Sequence, residues 1–291
     1  MKVENVWCVA ASKDGRYIAA GSCHGDVWVW NATTYEQVLE GKLKAWIICD
    51  VDFSPDSSRL VSANGANHTV IIWDIAACKT VHTLDHGVSV EAAKYSPQGN
   101  RIATATCESV QVWDSHDWRL LVVVKVGLSP WHGLLWFDNY LFVKTEDFKI
   151  TKIDSSTGSA VSEWSVPGTE SCISLPKHGK FIAYSSVDNI TLWDTSTHTQ
   201  LALIPERSFR CATALSSDDQ LIAIVAQRAK IVINKSLPQV IKEPPRIEVR
   251  SRMNKLPFLI HTSLFRSWVF ILKIVHLTRG NTDNSPTPKH Y

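Results

Sequence analysis

Three features are missing from the sequence: paired cysteines, clustered cysteine and histidine ligands, and a long apolar run at the N-terminus. Its seven cysteines are an odd number and stand singly, whereas a disulfide framework needs an even set and a zinc site needs close spacing. A secretory signal would need the apolar run. We therefore expect buried, reduced thiols in a cytoplasmic protein, at Cys8, Cys23, Cys49, Cys78, Cys107, Cys172 and Cys211.

Motifs of catalytic sites are missing as well. The sequence contains no GxSxG, no HExxH, no glycine-rich phosphate loop and no GxGxxG after a strand. His82 and His86 have a spacing that brings two metal ligands together on a helix, but not on an extended strand. Asp50 and Asp52 can share one face of a strand, where we expect solvated or hydrogen-bonded carboxylates. The sequence therefore predicts a protein that is not an enzyme and that has no cofactor or metal ion.

The charge distribution argues against a further class of function. The total is only +2, yet residues 1–238 carry −4 and residues 239–291 carry +6. A mildly acidic body argues against nucleic-acid binding, which needs clustered Lys and Arg. Because the C-terminal part differs in composition, we predict a main domain at 1–243 and a basic, partly apolar extension at 244–291.

What the sequence does contain is an internal repeat. An apolar residue followed by Asp or Asn closes a β-rich stretch six times, and these pairs begin at Trp30, Trp73, Trp113, Ile153, Trp193 and Ile233. From Trp73 onward the step is constant, and it matches the roughly 40 residues of a propeller-blade repeat. Turn-forming sequences keep the same step from Gly99 through Asn139 and Gly179 to Asp219. Four short strands fit between these markers in each unit, which is typical of a propeller blade.

The stretch Ser54–Asp74, with Ser-Pro-Asp, Arg-Leu-Val-Ser and Thr-Val-Ile-Ile-Trp-Asp, resembles a WD repeat over its whole length. Tyr95–Asp114 resembles it equally, and the likeness covers roughly residues 3–242. The resemblance implies an all-β propeller with six recognisable four-stranded blades. It also implies that the residues closing each blade are structural and lie between blades: Trp30, Trp73, Asp74, Trp113, Asp114, Trp193 and Asp194.

The sequence departs from the WD pattern in its polar network. Many WD repeats tie their strands together with His, Ser or Thr, Asp and Trp, and the Asp stands six residues before the Trp. That position holds His24, Asn67, Cys107 and Val187, and the nearest trace of the usual Gly-His is His86 followed by Gly87. We therefore expect apolar packing, more than polar networks, to hold the blades together.

The C-terminal part leaves alternatives open. Seven blades are the commonest number in the family, and the residues from Pro244 on could form a degenerate seventh blade or a loosely attached extension. Leu256–Leu277 is long enough to span a bilayer. However, Arg266 and Lys273 would each cost roughly 2.5–3.5 kcal/mol in a membrane. A membrane-tethered scaffold is therefore a disfavoured alternative.

In WD-repeat proteins, the loops before the first strands of the blades line one face, and partners commonly dock there. By position in the repeat, we call the following residues the rim: Trp7, Trp46, Glu91, Trp131, Ser171, Phe209 and Arg210. We predict a non-catalytic scaffold that binds a protein or peptide there. The alternatives are a substrate-recognition or sensor subunit of a signalling or ubiquitin-ligase assembly, and a propeller enzyme. The divergent repeats are also similar to the propeller regions of NOD-like sensor NTPases, without the NTPase domain.

Overall fold

The computed structural model describes residues 5–43, 47–126, 133–145, 147–166, 172–174, 179–185, 189–204, 208–215, 221–226, 230–235 and 246–249. These residues form 24 β-strands, and no helix occurs among them. The strands make six antiparallel sheets of four strands each. The predicted all-β class and the six four-stranded units are therefore confirmed.

Each sheet is a meander, because its four strands follow one another in the chain and each pairs with the next. Blades 1 to 3 comprise β1 (Val6–Ala11), β2 (Tyr17–Ser22), β3 (Asp26–Asn31), β4 (Gln37–Lys42), β5 (Ile48–Phe53), β6 (Arg59–Asn64), β7 (Thr69–Asp74), β8 (Lys79–Asp85), β9 (Val90–Tyr95), β10 (Arg101–Thr106), β11 (Ser109–Asp114) and β12 (Leu120–Lys125). Blades 4 to 6 comprise β13 (Leu134–Phe137), β14 (Tyr140–Lys144), β15 (Lys149–Asp154), β16 (Ala160–Ser165), β17 (Cys172–Ser174), β18 (Phe181–Ser185), β19 (Ile190–Asp194), β20 (Gln200–Ile204), β21 (Ser208–Leu215), β22 (Leu221–Ala226), β23 (Lys230–Lys235) and β24 (Arg246–Val249).

The blades stack side by side. The first strand of each blade lies next to the first strand of the following blade, from β1 through β5, β9, β13 and β17 to β21. The apolar core lies between the blades: Leu39 of blade 1 shares a cluster with Trp73 of blade 2, and Val112 of blade 3 shares one with Ile153 of blade 4. A single four-stranded blade cannot bury both faces, so neighbouring blades depend on one another for their stability.

The Asp of each closing pair shapes the turn between the third and fourth strands. Asp194 Oδ1 accepts the backbone N–H groups of Ser196 and Thr197, both at 2.8 Å. Asp114 and Asp154 make the equivalent pairs of hydrogen bonds. These N–H groups stabilise the charged carboxylate and lower the pKa of all three Asp residues. In blades 3, 4 and 5 the Asp of the closing pair therefore stabilises the turn that follows it.

The residue four positions after the Asp of the closing pair has a positive φ, and in blades 2, 3 and 5 its side chain contacts the preceding blade. Cys78 (φ 52°) donates its thiol to the Val38 carbonyl at 2.9 Å. Trp118 (φ 63°) stacks on His82 with ring centres 5.0 Å apart. The corresponding residue of blade 5, a histidine at φ 56°, stacks on a tryptophan of blade 4 at 4.4 Å: His198 on Trp164. The turn therefore joins blades as well as strands.

The C-terminal end of the described chain belongs to blade 6. Its fourth strand, β24, pairs with β23 through Ile233 and Ile247. The boundary predicted after residue 243 thus falls between β23 and β24. Most of the extension that could form a seventh blade, and with it the apolar segment 256–277, lies outside the residues that the structure describes. In the part of the chain that it does describe, no helix is long and apolar enough to cross a membrane.

Candidate functional site

The rim residues that the structure describes lie at the starts of first strands. Trp7 is the second residue of β1 and is half-buried against the apolar cluster shared by blades 1 and 2. Glu91 is the second residue of β9, and Ser89 donates its hydroxyl to Glu91 Oε1 at 3.0 Å. Phe209 and Arg210 lie in β21. Trp46, Trp131 and Ser171 lie outside the described residues.

Three of the closing tryptophans, Trp73, Trp113 and Trp193, lie against the preceding blade and donate their indole N–H groups. Trp73 donates to Ser62 Oγ at 2.9 Å, and Trp113 donates to Thr104 Oγ1 at 3.0 Å. In blade 5, Trp193 instead donates to a hydroxyl of its own strand, Thr191 Oγ1, at 2.8 Å. Trp30 is buried in a cluster with Val6 and Ala20 of its own blade. Ile153, which closes blade 4, has no such donor.

One blade junction keeps most of the polar network that the sequence led us to discount. His86 Nε2 lies 2.7 Å from Thr104 Oγ1, the same hydroxyl that accepts from Trp113. Burial lowers the pKa of His86, which favours the neutral imidazole. His, Thr and Trp are thus present without the Asp, whose position holds Cys107. The isolated His86-Gly87 pair was the sequence signal for this site.

A partly buried charged cluster joins the first strands of blades 2 and 3. Both oxygens of Asp50 on β5 lie close to Lys94 Nζ on β9, at 2.8 and 2.7 Å. Asp50 also accepts the backbone N–H of Ala93 at 3.2 Å, and Asp52 accepts that of Tyr95 at 2.8 Å. Two carboxylates of one blade therefore bind the backbone of the next. The sequence showed that the two Asp residues can share a face, but it did not show Lys94 as their partner.

Burial shifts the pKa values of two groups in this cluster, which holds two carboxylates and one ammonium. Burial raises the pKa of Asp52 to about 6, and Lys94 only partly offsets that effect. For Lys94, burial alone would lower the pKa, but Asp50 and Asp52 outweigh it and the pKa rises. The cluster thus carries an excess negative charge inside the propeller.

The two histidines four residues apart serve different partners. His82 stacks on Trp118, whereas His86 bonds Thr104. Over the described stretches of the chain, no group of three or more His, Cys, Asp and Glu side chains is arranged to hold a metal ion. The acidic residues of the cluster are engaged with Lys94 and with backbone N–H groups, so their contacts are structural.

Comparison with known proteins identifies the repeat. The family model described as WD domain, G-beta repeat, matches residues 3–31, 34–74 and 78–114. The matches end at Asn31, Asp74 and Asp114, where β3, β7 and β11 also end. Six four-stranded sheets, three of them carrying matched repeats, define a propeller built from such units. Residues 3–114 thus carry three matched WD repeats, and they lie in the first three sheets of the propeller.

Similar proteins match parts of the chain. WD repeat-containing protein 1 of Gallus gallus is 37% identical over 86 residues, which are 28% of this chain and 14% of that protein. Small ribosomal subunit protein RACK1y of Oryza sativa subsp. japonica is 33% identical over 99 residues, 33% of this chain and 29% of that protein. The chain thus spans under a third of either relative.

A solved structure matches most of the chain. The β-propeller domain of Cps50 (Swd1) from Myceliophteria thermophila has a TM-score of 0.72 at 14% identity and covers 85% of this chain and 87% of that one. At this identity the likeness is one of fold alone. It agrees with the propeller that the six sheets form.

Proposed function

We propose that this chain is a non-catalytic scaffold that holds a protein or peptide partner on the rim. The observation that carries the proposal is the side-by-side order of the first strands β1, β5 and β9. From this order we infer that the starts of the strands, and with them Trp7 and Glu91, share one face of the propeller. Tryptophan and arginine are the residues that most often anchor protein interfaces, and the rim contains three tryptophans and Arg210.

The relatives support a binding role. The rice relative is, by its name, a protein of the small ribosomal subunit, and so it works inside an assembly. We propose the same kind of role here, with no cofactor and no chemical step. Five described cysteines are free thiols, which supports a cytoplasmic location, since that compartment keeps thiols reduced.

Affinity capture with the full chain tests the rim. We expect the variant Trp46→Ala/Trp131→Ala to recover the partners of the wild type at strongly reduced levels, measured by quantitative mass spectrometry. Lys79→Ala, an exposed change on the outer strand β8, is the matched control and should recover them fully. Equal recovery by the double variant and the wild type would contradict the rim assignment.

A further inference from the structure

Three half-buried residues stand in one row at the starts of the first strands. Trp7, Cys49 and Glu91 are each the second residue of their strand, in β1, β5 and β9. The residues on either side of them are all buried: Val6, Cys8, Ile48, Asp50, Val90 and Ala92. The three residues of the row, in contrast, are partly exposed. The row therefore presents an aromatic ring, a thiol and a carboxylate at the rim.

Glu91 is a carboxylate without a counter-charge. Its printed partner in the protein is the Ser89 hydroxyl, which donates to Oε1 at 3.0 Å. Over the described residues, no Lys, Arg or His makes an ion pair with Glu91. A half-buried carboxylate has lost part of its hydration, and proteins normally compensate that loss with a cation or with several hydrogen bonds. Glu91 can therefore accept a cation that the described residues do not supply.

The groups next to Glu91 do not neutralise it. Burial raises the pKa of the Cys49 thiol to about 12, and the charge of Glu91 adds to that rise, so the thiol beside Glu91 stays neutral. A Cβ atom on Gly65 would lie 2.9 Å from Cys49 Sγ and 3.1 Å from Ser89 Oγ, so these two groups pack closely against blade 2. The protein side of Glu91 is thus occupied by a thiol and a hydroxyl, and a cation has to approach from solvent.

The charges further along the first strands favour a cation as well. Asp50 and Asp52 of β5 outnumber Lys94 of β9 by one charge. Lys94 contacts both oxygens of Asp50, at 2.8 and 2.7 Å, and so it is engaged away from Glu91. The excess negative charge of this cluster and that of Glu91 add up, which raises the local concentration of cationic ligands.

An exposed aromatic residue lies on the same face of the next blade. Phe148 directly precedes β15, at the end of blade 4 where β13 begins, because the strands of a meander alternate in direction. It is 38% exposed and has φ 59°. The equivalent residues before β3 and β7 also have a positive φ, and they are Gly25 and His68. Because a bulky side chain is disfavoured in this region, the turn does not favour Phe, and such an outlier is typical of a functional position.

We propose that the rim face binds an extended segment of a protein partner through two contacts: a lysine or arginine of that segment pairs with Glu91, and an apolar residue packs on Phe148. This inference rests on the function proposed above and names the chemistry of the partner. The cation balances the charge of Glu91, whose Oε1 keeps the Ser89 hydroxyl. The apolar residue covers the exposed ring and removes apolar surface from water.

Selection of displayed random dodecapeptides on the immobilised full chain tests the proposal. We expect the enriched peptides to share a lysine or arginine and an apolar residue at a fixed spacing from it. The best peptide is then synthesised, and its affinity is measured by fluorescence anisotropy. Its neutral analogue, with citrulline for arginine or acetyl-lysine for lysine, should bind about tenfold more weakly or worse. No enrichment, enriched peptides without a basic residue, or equal binding of the neutral analogue would each overturn the proposal.

Glu91→Gln keeps the shape of the side chain and its acceptor for Ser89, and it removes the charge. The basic peptide should bind this variant about tenfold more weakly or worse, whereas the neutral analogue should bind it like the wild type. Its midpoint of urea denaturation should be no lower than that of the wild type, because the variant loses an unpaired charge. Glu108→Gln, at an exposed carboxylate on the same face of blade 3, is the matched control and should bind both peptides like the wild type. Undiminished affinity of Glu91→Gln for the basic peptide would overturn the proposal.

Phe148→Asn tests the second contact. Asn tolerates a positive φ better than Phe does, so the variant should be at least as stable as the wild type. Its affinity for the selected peptide should nevertheless fall severalfold, which a purely structural role of Phe148 would not explain. His68→Asn makes the same change at the equivalent turn of blade 2 and should leave the affinity unaltered. Unaltered affinity of Phe148→Asn would overturn the two-contact proposal.

The rim assignment and the chemistry of the partner can fail separately. If the selected peptide is lost by Trp46→Ala/Trp131→Ala and retained by Glu91→Gln, the rim binds a partner of another chemistry and only the present proposal is overturned. If both variants retain the peptide, the peptide binds elsewhere and the rim assignment is overturned as well.

Discussion

Blades 2 and 3 are joined by a partly buried charged cluster, whereas blades 3 and 4 meet mainly through apolar side chains in the part of the chain that the structure describes. At the first junction Asp50 and Asp52 bind Lys94 and the backbone of β9. The second junction consists chiefly of side chains such as Val124 and Ile153. One fold therefore accepts two kinds of junction, which we call the polar seam (between blades 2 and 3) and the apolar seam (between blades 3 and 4). Substitutions in the two seams should change the stability of the protein by different mechanisms.

One polar contact is common to both seams. An arginine of the earlier blade donates to a backbone carbonyl of the later blade at 3.2 Å, Arg59 to Ser115 and Arg101 to Ser155. Because this contact is repeated, the difference between the seams lies in their interiors. The interior of the first seam holds charges, and that of the second holds methyl groups.

The polar seam depends on pairing. Removing one partner of a buried ion pair costs far more than the pair contributes, because the remaining charge is left without water or a counter-ion. The apolar seam depends on close packing. The stability lost by a substitution there is set by how closely the new atoms approach the neighbouring blade, as at Gly158 and Val122. The predictions below separate these two effects.

Lys94→Met should have the largest effect. Asp50 is 4% exposed and would lose the ammonium that contacts both its oxygens. We expect a loss of about 3 kcal/mol in the free energy of unfolding, measured by urea denaturation. Lys125→Met, the control beside the apolar seam, should change it by less than about 0.5 kcal/mol, because Lys125 is exposed. Equal effects of the two variants would remove the distinction between the seams.

Gly158→Ala should destabilise the protein by disturbing the packing of the apolar seam. The residue has φ +75°, and its new Cβ would lie 2.8 Å from Val122 Cγ1. We expect a loss of about 2 kcal/mol from backbone strain and overpacking together. Gly87→Ala is the matched control, since Gly87 has φ +67° with nothing within 4 Å of the added Cβ. It should lose about 1 kcal/mol, and a loss equal to that of Gly158→Ala would show that contact with blade 3 is irrelevant.

The polar seam should also make the free energy of unfolding depend on pH, and Asp52→Asn should remove that dependence. The folded-state pKa of Asp52 is about 6, above the roughly 3.9 of an unfolded chain. Between these values the folded protein binds the extra proton, so this carboxyl contributes less stability as pH rises from about 4 to 6. Denaturation from pH 4.5 to 7.5 should show the wild type losing about 1–2 kcal/mol relative to Asp52→Asn. Parallel pH profiles would contradict the assignment.

Trp113→Phe should have the smallest effect. It keeps most of the ring and removes the N–H that bonds Thr104, while His86 remains a partner of that hydroxyl. We expect a loss of about 1 kcal/mol. The double variant with His86→Phe should lose more than the sum of the two single changes, because the Thr104 hydroxyl then keeps only its long contact, at 3.5 Å, with the Gln111 carbonyl. Simple additivity in a double-mutant cycle would show that the three groups do not form a network.

The periodic markers were enough to predict the fold. Trp73 and Asp74 mark the end of a strand, and a step of about 40 residues predicts four strands per blade. The site could be predicted only in part. His86-Gly87 signalled one network, but Lys94 carries no pattern that ties it to Asp50, because side-chain position alone joins them across a sequence separation of 44.

The turn residues that follow the closing Asp residues all make their contacts with the preceding blade, never with the following one, in the three blades where the structure shows such a contact. Cys78, Trp118 and His198 each contact the fourth strand of the blade made just before their own. Because the partner strand comes earlier in the chain than the turn, each of these contacts can form without any residue of a later blade.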